Sequence, residues 1–385
     1  MISSLGLKNF KCFEDETLEL SSLNLLAGLN GMGKSTAIQA LLLLRQNYNA
    51  GTLRETEKLV LNGNLVNIGN TRDMLYANSK KREISIEIIT ETDLHAQWVW
   101  DAGEYKDNHI WGMWDGEEYV AYLRFKSLTV NKPQNGGRGI FELPLFRENF
   151  HYLSAERLGP RSFYEKPTHE ILSKNQMGTQ GEYTINYLNE YASKDIPIVA
   201  LKHPLSKGLK LYEQVNAWLG EIRPGTSVNI RKNLDVNIVY ASYRFIGTIG
   251  FRSANVGFGF SYILPVLVAI LNSTPGSLII LENPEAHLHP MAQATMGRLF
   301  AIAASNGVQL IVETHSDHII NGVRVAVKEG VIEHNKVKIL FFTGDVIEGK
   351  FVHYVLTPQI YPNGRLGDLP EGFLDEWGKQ LLRII

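Results

Sequence analysis

The stretch Gly28-Leu-Asn-Gly-Met-Gly-Lys-Ser35 decides the fold, because its glycine, lysine and serine spacing matches the phosphate-binding pattern G-x-x-x-x-G-K-[ST]. An apolar run, residues 23–27, precedes it, and a helix-forming run, residues 36–44, follows it. The motif needs this order of strand, glycine loop and helix, since backbone N–H groups then surround phosphate oxygens at a helix start. The sequence therefore predicts a nucleoside triphosphate site near the start of the chain.

The side chains of this loop have separate expected roles in binding ATP and magnesium. Lys34 is expected to reach the β- and γ-phosphates. Ser35 is expected to coordinate Mg²⁺ through its hydroxyl, because magnesium prefers hard oxygen ligands. The remaining predicted contacts of the phosphate cradle are Asn30, Gly31, Gly33 and Thr36. A chance glycine turn before a helix is the competing interpretation, and the flanking strand and helix patterns argue against it.

Length and composition indicate a globular protein with either one large core or two lobes that share one. The 385 residues are 44% apolar, which is ample for a large core, and 38 basic against 40 acidic residues give a net charge of -2. Cys12 is the only cysteine, which excludes an internal disulfide and fits a reducing compartment. The longest apolar stretch, residues 262–271, is too short to span a bilayer. We expect a cytoplasmic protein without a membrane partner.

Three lobes are predicted along the chain. Short alternating runs such as residues 84–89 indicate a β-rich lobe over residues 1–155 that also holds the glycine loop. Helical patterns at 182–191 and 209–219 indicate a helical lobe over residues 156–225. Strands at 227–240 and 243–251, followed by alternating helices and buried strands, predict a C-terminal lobe over residues 226–385. Two segments rich in turn formers, 101–115 and 131–139, are predicted surface loops.

Two buried strands of the C-terminal lobe end in chemically useful residues. Residues 277–281 lead into Glu282, and residues 308–312 lead into Glu313-Thr-His315. Ligands bind at the carboxyl edge of open α/β sheets, so both ends belong near the phosphate cradle. Glu282 is therefore the predicted metal-holding carboxylate, and His315 is the predicted sensor of the γ-phosphate.

A second glycine loop, Val256-Gly-Phe-Gly-Phe-Ser261, precedes the apolar run 262–271. Glycines at a helix start make an anion site, since the helix dipole and free N–H groups attract negative charge. The predicted nucleotide contacts here are Gly257, Gly259 and Ser261. A turn that packs a helix is the alternative.

Taken in chain order, the motifs resemble those of ABC-type ATPases of the SMC, RecF and OLD-like group. They are the loop 28–35, the loop 256–261, the segment 281–290 and Glu313-Thr-His-Ser316. More narrowly, Leu281-Glu-Asn-Pro-Glu-Ala-His-Leu-His-Pro290 and Leu369-Pro-Glu-Gly-Phe-Leu374 resemble stand-alone bacterial ATPases often associated with phage-defence operons. The resemblance implies an α/β ABC-ATPase head, with a P-loop parallel sheet core, an antiparallel β-rich lobe and a helical lobe. It makes residues 28–35 the Walker A loop, residues 256–261 the signature and residues 281–290 the Walker B segment.

The resemblance also implies partners and cofactors. Two heads would sandwich two ATP molecules with Mg²⁺, the signature of one head completing the site of the other in a homodimer or higher oligomer. The signature departs from the usual Leu-Ser-Gly-Gly wording. The 67 residues after His318 are too few for the Toprim nuclease of OLD proteins and lack its acidic constellation. Any nuclease activity is therefore expected from a separate effector protein.

The Walker B segment departs from the family where related ATPases place the catalytic carboxylate, because Asn283 stands there. A neutral amide cannot accept a proton. Three alternatives remain open: Glu282 both holds magnesium and polarises the attacking water, Glu285 substitutes, or hydrolysis is slow and ATP binding is the signal. Asn283 could still orient a water molecule. Slow hydrolysis that depends on a partner is favoured.

Three other groups of residues invite a functional interpretation. The histidines have neither cysteines nor the helical spacing of a zinc pair, so they are interpreted as packing and cross-subunit contacts. The two arginines of a loop after a predicted strand could touch phosphate or DNA, but a salt-bridged lobe junction is favoured. The tryptophans could stack on bases, but sheet core is favoured. These groups are His287, His289, His315 and His318; Arg157 and Arg161; and Trp98, Trp100, Trp111 and Trp114.

Three functions follow, in order of preference. The first is an ATPase that dimerises on ATP and serves as the sensor or regulatory subunit of an anti-phage complex, controlling a separate effector, expected to be a nuclease. The second is a RecF-like or SMC-like DNA-repair ATPase, which requires salt-dependent DNA binding. The third is a nucleotide-gated scaffold with little turnover, which Asn283 favours.

Overall fold

The computed structural model describes residues 1–55, 59–102, 124–131, 139–161, 163–165, 174–233, 238–368, 370, 372–373 and 375–384. Most of the predicted loops 101–115 and 131–139 lies outside these residues, as do Trp111 and Trp114. Leu369, Glu371 and Leu374 of the closing motif also lie outside them.

The strands alternate with helices in the C-terminal half and follow one another in the N-terminal half. The strands are β1 (Ile2–Phe10), β2 (Phe13–Glu19), β3 (Leu23–Gly28), β4 (Glu83–Thr90), β5 (His95–Asp101), β6 (Arg124–Asn131), β7 (Phe150–Leu153), β8 (Tyr164–Glu165), β9 (Ser227–Asn233), β10 (Ile238–Arg244), β11 (Phe251–Arg252), β12 (Leu278–Glu282), β13 (Gln309–Glu313), β14 (Val337–Ile347) and β15 (Lys350–Leu356). The α-helices are α1 (Lys34–Asn49), α2 (Thr52–Glu55), α3 (Thr71–Met74), α4 (Thr184–Tyr191), α5 (Leu211–Ile222), α6 (Phe258–Leu271), α7 (Pro290–Ser305), α8 (Asp317–Lys328) and α9 (Glu376–Leu382).

A six-stranded sheet in the order β15-β14-β3-β13-β12-β7 forms the centre of the protein. Its strands are parallel from β14 to β7, and β15 returns antiparallel to β14. The parallel strands are nearly continuous apolar runs because both faces of the sheet are covered. Alternate residues of β12 belong to two clusters: Ile279 and Leu281 pack with α5 to α8, while Leu278 and Ile280 pack with α1 and the N-terminal strands.

The β-rich N-terminal part is an antiparallel sheet in the order β2-β1-β4-β5-β6. Trp98 and Trp100 of β5 are 0% and 2% exposed and belong to the cluster that contains Ile38 and Leu41 of α1. Their place in the sheet core agrees with the favoured interpretation. The α/β architecture is therefore confirmed: a parallel core with the glycine loop, an antiparallel sheet and a group of helices.

A small third sheet, in which β10 pairs with β8, β9 and β11, corrects one prediction. The strand expected over 243–251 is broken, because residues 245–250 form a turn between β10 and β11. Thr248 closes this turn by donating its N–H and hydroxyl to the Phe245 carbonyl, at 3.1 and 2.9 Å. Gly247 supplies a φ of 73°, a left-handed conformation that favours glycine.

The lobe boundaries at residues 155/156 and 225/226 stay a prediction. Strand β7 lies just before the first boundary but pairs with β12 of the C-terminal half. Helix α5, before the second boundary, shares a hydrophobic cluster with α6. Within the described residues, no helix is both long and apolar enough to cross a membrane.

Candidate nucleotide-binding site

The Walker A loop adopts a backbone that only glycine accommodates easily. Gly28, Gly31 and Gly33 have φ of 126°, 77° and 103°, and left-handed values of this kind strain any residue with a Cβ atom. At Gly28 a Cβ atom would also lie 2.2 Å from the Phe342 carbonyl oxygen of β14. The loop therefore turns tightly at the end of β3 and presents the start of α1.

Lys34 has a buried ammonium that is bonded to backbone oxygens. The residue is 3% exposed, and its Nζ donates to the carbonyl oxygens of Gly28 and Leu29 at 2.9 and 2.8 Å. Burial lowers the pKa of Lys34, against the opposing effect of the Glu313 carboxylate. A buried charge is costly unless it is paired with an opposite charge. A phosphate bound at this loop would provide that charge, so the residues present fit ATP.

The hydroxyl of Ser35 contacts a carboxylate that the sequence analysis had assigned no role. It donates to Glu313 at the end of β13, with distances of 3.1 and 3.3 Å to the two carboxylate oxygens. Burial, followed by the Glu282 charge, raises the pKa of Glu313 to about 7, while Lys34 and Ser35 oppose the rise. Glu313 is level with Glu282 in the parallel register of β13 and β12. Both buried strands end in a glutamate, and this repeated pattern is the sequence signal that could have identified the pair.

Glu282 is fixed by the neighbouring strand. Its Oε1 accepts from the Tyr152 hydroxyl of β7 and its Oε2 from the Ala155 N–H, both at 3.1 Å. Burial raises the pKa of Glu282, and these hydrogen bonds oppose the rise. Magnesium usually takes only one or two carboxylates and completes its shell with water and phosphate. Ser35 and Glu282 are compatible with that chemistry, and their role as ligands stays a proposal.

Two histidines of the Walker B segment contact groups of the same chain. Among the described residues, no three His, Cys, Asp or Glu side chains converge closely enough to hold a metal ion. The ring of His287 packs against Tyr262, with 4.8 Å between centroids. The Nδ1 atom of His289 caps α7 by accepting from the Met291 N–H at 3.3 Å. Both histidines therefore have packing or capping roles within the chain.

The contacts of Arg157 differ from the salt bridge predicted for it at a junction between lobes. The residue is 3% exposed, and its guanidinium donates to the backbone oxygens of Ser154, Glu282 and Asn283, the first two at 3.0 and 2.7 Å. It also lies 5.4 Å from the ring centroid of Tyr262 in α6. Burial lowers the pKa of Arg157 to about 10, so the group stays charged at neutral pH. Arg157 therefore anchors the turn formed by residues 282–290, here named the Walker B turn.

Asn283 has a structural reason to be an asparagine. Its φ is 44°, and asparagine is among the few non-glycine residues that enter the left-handed region readily. Its N–H donates to the Glu313 carbonyl at 2.8 Å, which joins the Walker B turn to β13. Its Oδ1 is enclosed and has no hydrogen-bond partner among the described residues. The catalytic role of the amide stays a prediction.

Glu285 connects the Walker B turn with His315. Its Oε1 accepts the backbone N–H of His315 at 2.7 Å, while its Oε2 is enclosed without a partner among the described residues. The side chain of His315 is exposed, and its pKa is lowered by partial burial and by the charge of Lys34. Electrostatic influence from Lys34 agrees with a position beside the phosphate cradle.

The signature residues differ in how open they are. Gly257 is exposed and has no atom within 4 Å of a built Cβ position, whereas at Gly259 a Cβ atom would lie 2.7 Å from the His287 carbonyl oxygen. Ser261 is 7% exposed. Packing against the Walker B turn therefore explains Gly259, and Gly257 is the residue open to a ligand.

A cavity of about 610 Å³ lies in front of the Walker A loop. All six predicted cradle residues, Asn30, Gly31, Gly33, Lys34, Ser35 and Thr36, line it. Glu313 also lines it, together with the β1–β2 turn, the loop after α3 and part of β15. The lining does not include Glu282, Asn283, His315 or the signature glycines.

We expect Arg157→Met to destabilise the fold, because the guanidinium donates to carbonyl oxygens that would lose their partners. Hydrogen bonds to a charged group contribute about 1.5–3 kcal/mol each, so loss of three such bonds should lower the free energy of unfolding by at least roughly 3 kcal/mol, after part of the loss is offset by the lower cost of burying the uncharged methionine. Urea denaturation measures this change. Arg161→Met at the exposed neighbour is the control and should change stability by less than about 0.5 kcal/mol. Equal stability of the two variants would contradict the anchoring role.

Family models match two parts of the chain. The family described as "AAA domain, putative AbiEii toxin, Type IV TA system" matches residues 23–321. A second model, described as a protein of unknown function, DUF3696, matches residues 332–384. No curated protein matches the chain.

Solved structures of SMC heads are similar in fold. A head bound to the C-winged helix domain of ScpA has a TM-score of 0.54 and 14% identity, covering 93% of this chain and 98% of its own. The head domain from Thermotoga maritima has a TM-score of 0.43 and 12% identity, covering 92% and 98%. A Pyrococcus furiosus head bound to the C-terminal domain of ScpA has a TM-score of 0.49 and 14% identity, covering 100% and 99%.

The family match spans most of the chain and includes the Walker A loop, the signature and the Walker B turn. The first of the SMC heads has the same overall fold. The chain therefore belongs to the AAA family that is described as putative AbiEii toxin, and it is an ATPase with the ABC-type P-loop head fold of the SMC and RecF group.

Proposed function

We propose that this ATPase binds ATP with Mg²⁺ at the Walker A loop, dimerises head to head when ATP is bound, and regulates a separate effector in a bacterial anti-phage complex. The observation that carries the nucleotide part is Lys34, a buried ammonium bonded to backbone carbonyls at the start of α1. That geometry provides positive charge where a phosphate chain would lie.

The residues around this loop would have different roles in hydrolysis. Bound magnesium would neutralise phosphate charge, with Ser35 and Glu282 as its proposed protein ligands. Glu313 lies within hydrogen-bond distance of Ser35 and adds a second carboxylate beside the metal position. His315 would contact the γ-phosphate, because Glu285 fixes its backbone at the neighbouring strand end.

Dimerisation has support from the exposed start of α6. Gly257 caps this 14-residue helix without a side-chain hydrogen bond, and the next residue, Phe258, is 54% exposed. The free N–H groups at such a helix start favour an anion. A second head that brings its nucleotide to this point would supply one. The signature would then complete the site of the partner.

Slow hydrolysis has support from Asn283. The amide stands beside Glu282 at the strand end and cannot accept a proton. Residue 283 has a left-handed backbone, which asparagine and aspartate adopt more readily than other residues with a Cβ atom. A glutamate at this position would therefore be strained. Hydrolysis would therefore depend on water orientation by the amide or on another carboxylate.

We expect ATP with Mg²⁺ to raise the particle mass from monomer to dimer in the wild type but not in Lys34→Ala, which loses the phosphate-binding cation. Turnover should fall about 100-fold in Lys34→Ala, Glu282→Gln and His315→Ala, as for other groups that stabilise transition-state charge. Light scattering and phosphate release measure the two effects. Lys207→Ala changes an exposed residue outside the proposed site and is the control.

Two outcomes of this experiment would separate the alternatives. ATP-driven dimers without turnover would favour the nucleotide-gated scaffold. Dimers that form equally with and without nucleotide would contradict the ATP sandwich. A rise in turnover in Asn283→Asp, which keeps both the size and the left-handed tolerance of the residue, would show that the amide limits the chemistry.

The regulatory role rests on the resemblance to ATPases of phage-defence operons and on the family's description as a putative toxin of a type IV system. We expect cells that carry the chain with its neighbouring genes to reduce phage plating at least tenfold, and Lys34→Ala to abolish the protection, because the effector would lose its nucleotide signal. Plaque counts measure this effect. Equal plating with and without the genes would contradict the defence role, and a neighbouring gene without nuclease activity would contradict the proposed effector.

A second candidate function, a DNA-associated ATPase, is favoured by the small third sheet. One face of this sheet forms a hollow of about 460 Å³ lined by Arg231, Arg244 and Arg252. Tyr240, which is 38% exposed, also lines it. The described residues that line the hollow include no carboxylate. Arginines bind phosphate oxygens and aromatic rings stack on bases, so single-stranded nucleic acid is the ligand that this chemistry suits.

We expect the wild type to bind a single-stranded oligonucleotide and the triple variant Arg231→Ala/Arg244→Ala/Arg252→Ala to bind it at least tenfold more weakly. The slope of log affinity against log salt is negative, and loss of three phosphate contacts should reduce its magnitude by about 2. Fluorescence anisotropy at several salt concentrations measures both effects. Lys202→Ala/Lys207→Ala/Lys328→Ala removes the same charge elsewhere and is the control. Equal loss in both triple variants would contradict a specific basic face.

A further inference from the structure

The hairpin formed by β14 and β15 forms part of the nucleotide cavity, although the matching family model assigns no function to this region. Phe342 of β14 is level with Gly28 at the end of β3. Because the two strands are parallel, residues 343–347 continue past the sheet edge in the direction of the Walker A loop. Their antiparallel partners in β15, residues 350–354, extend past the same edge. The hairpin thus projects beside the phosphate cradle.

Two rings of β15, those of Phe351 and His353, line the cavity. Their centroids are 4.9 Å apart in an edge-to-face arrangement. The Phe351 ring lies over Gly344, where a Cβ atom would be 2.5 Å from the ring. The absence of a side chain at Gly344 therefore sets the position of this ring. The two residues alternate along the strand, so both point to one face of the hairpin.

Phe351 and His353 also have capacity for further contacts. Phe351 is 42% exposed, which is high for a phenylalanine that borders a cavity. The Nδ1 atom of His353 is enclosed and has no hydrogen-bond partner among the described residues. Buried polar atoms are usually bonded, so an unpaired nitrogen beside a cavity indicates a missing partner. A planar ring with polar groups would satisfy both residues.

The cavity provides space for such a ligand. Lys34 and the start of α1 occupy one wall and account for a phosphate chain, but they do not account for the rest of the 610 Å³. Small-molecule sites commonly have volumes of about 300–1,000 Å³, so a nucleoside fits in addition to its phosphates. The rest of the lining includes residues of the β1–β2 turn, α3 and the loop after α3.

We propose that Phe351 and His353 form a nucleoside-binding wall, which contacts the base or ribose of the nucleotide whose phosphates bind the Walker A loop. This inference rests on the proposed function and assigns a role to the C-terminal hairpin. The phenylalanine ring provides an apolar surface for the base, and the histidine provides a polar atom for a hydroxyl or ring nitrogen. The hairpin thereby distinguishes a nucleotide from a bare phosphate chain.

The test compares MgATP with magnesium tripolyphosphate, which has the phosphates but lacks the nucleoside, by isothermal titration calorimetry. Phe351→Ala and His353→Ala should each bind MgATP about tenfold more weakly than the wild type, in the range of one lost base contact. Their affinity for magnesium tripolyphosphate should be unchanged. Gly344→Ala should also weaken MgATP binding, because its new Cβ atom would lie 2.5 Å from the Phe351 ring and 2.7 Å from the Val352 carbonyl oxygen, so that β15 must shift. Tyr354→Ala changes the alternate face of β15 and should leave both affinities unchanged.

The outcomes separate this inference from the proposed function. If the wild type binds MgATP and the hairpin variants bind it equally well, the nucleoside wall is wrong and the ATP site stands. Equal loss of MgATP and tripolyphosphate binding would also overturn the inference, because the hairpin would then act on the phosphates or the fold. If the wild type binds neither ligand, both proposals fail. Phe351→Leu, a milder change at an exposed ring, provides the comparison should Phe351→Ala unfold.

Discussion

The parallel alignment of β3, β13 and β12 is the constraint on which the site depends. These three neighbouring strands end at one edge, which brings Gly28, Glu313 and Glu282 together. The hydrogen bond from Ser35 to Glu313 consequently joins residues 278 positions apart in the chain. A shift of one residue in a strand would turn its side chains to the opposite faces. Burial of both sheet faces in separate clusters prevents that shift, so hydrophobic packing sets the position of the polar groups.

The Walker B turn contacts several elements around the site. Arg157 holds its carbonyl oxygens from the β7 side, Asn283 bonds to β13, and Glu285 holds the backbone of His315. On its other side, the carbonyl of His287 approaches Gly259 of the signature. One short turn therefore contacts β13, the backbone of His315 and Gly259 of the signature. A change in charge at the nucleotide would act on all three through direct contacts.

Segments from the N-terminal and C-terminal parts of the chain both line the cavity in front of the Walker A loop. The β1–β2 turn comes from the first strands, whereas the β14–β15 hairpin comes from the region that follows the ATPase motifs. The hairpin reaches the cavity because β14 lies directly beside β3 in the central sheet. In the proposed function, this arrangement would separate phosphate binding at the Walker A loop from recognition of the remaining nucleotide at the hairpin. The position of β14 beside β3 also explains how a C-terminal hairpin lines a cavity at an N-terminal loop.

Local patterns in the sequence determined the glycine loop, the buried parallel strands, the signature helix and the α/β class, because each depends on a short period or spacing. The turn at Phe245–Thr248 was missed, since apolar and turn-forming residues alternate there and its closing hydrogen bonds are not visible in a pattern. Only the tertiary structure decided that Ser35 meets Glu313, that Arg157 binds carbonyls rather than a carboxylate, and that Phe351 lines the cavity. Those contacts depend on strand order and register, which arise from packing between residues far apart in the chain.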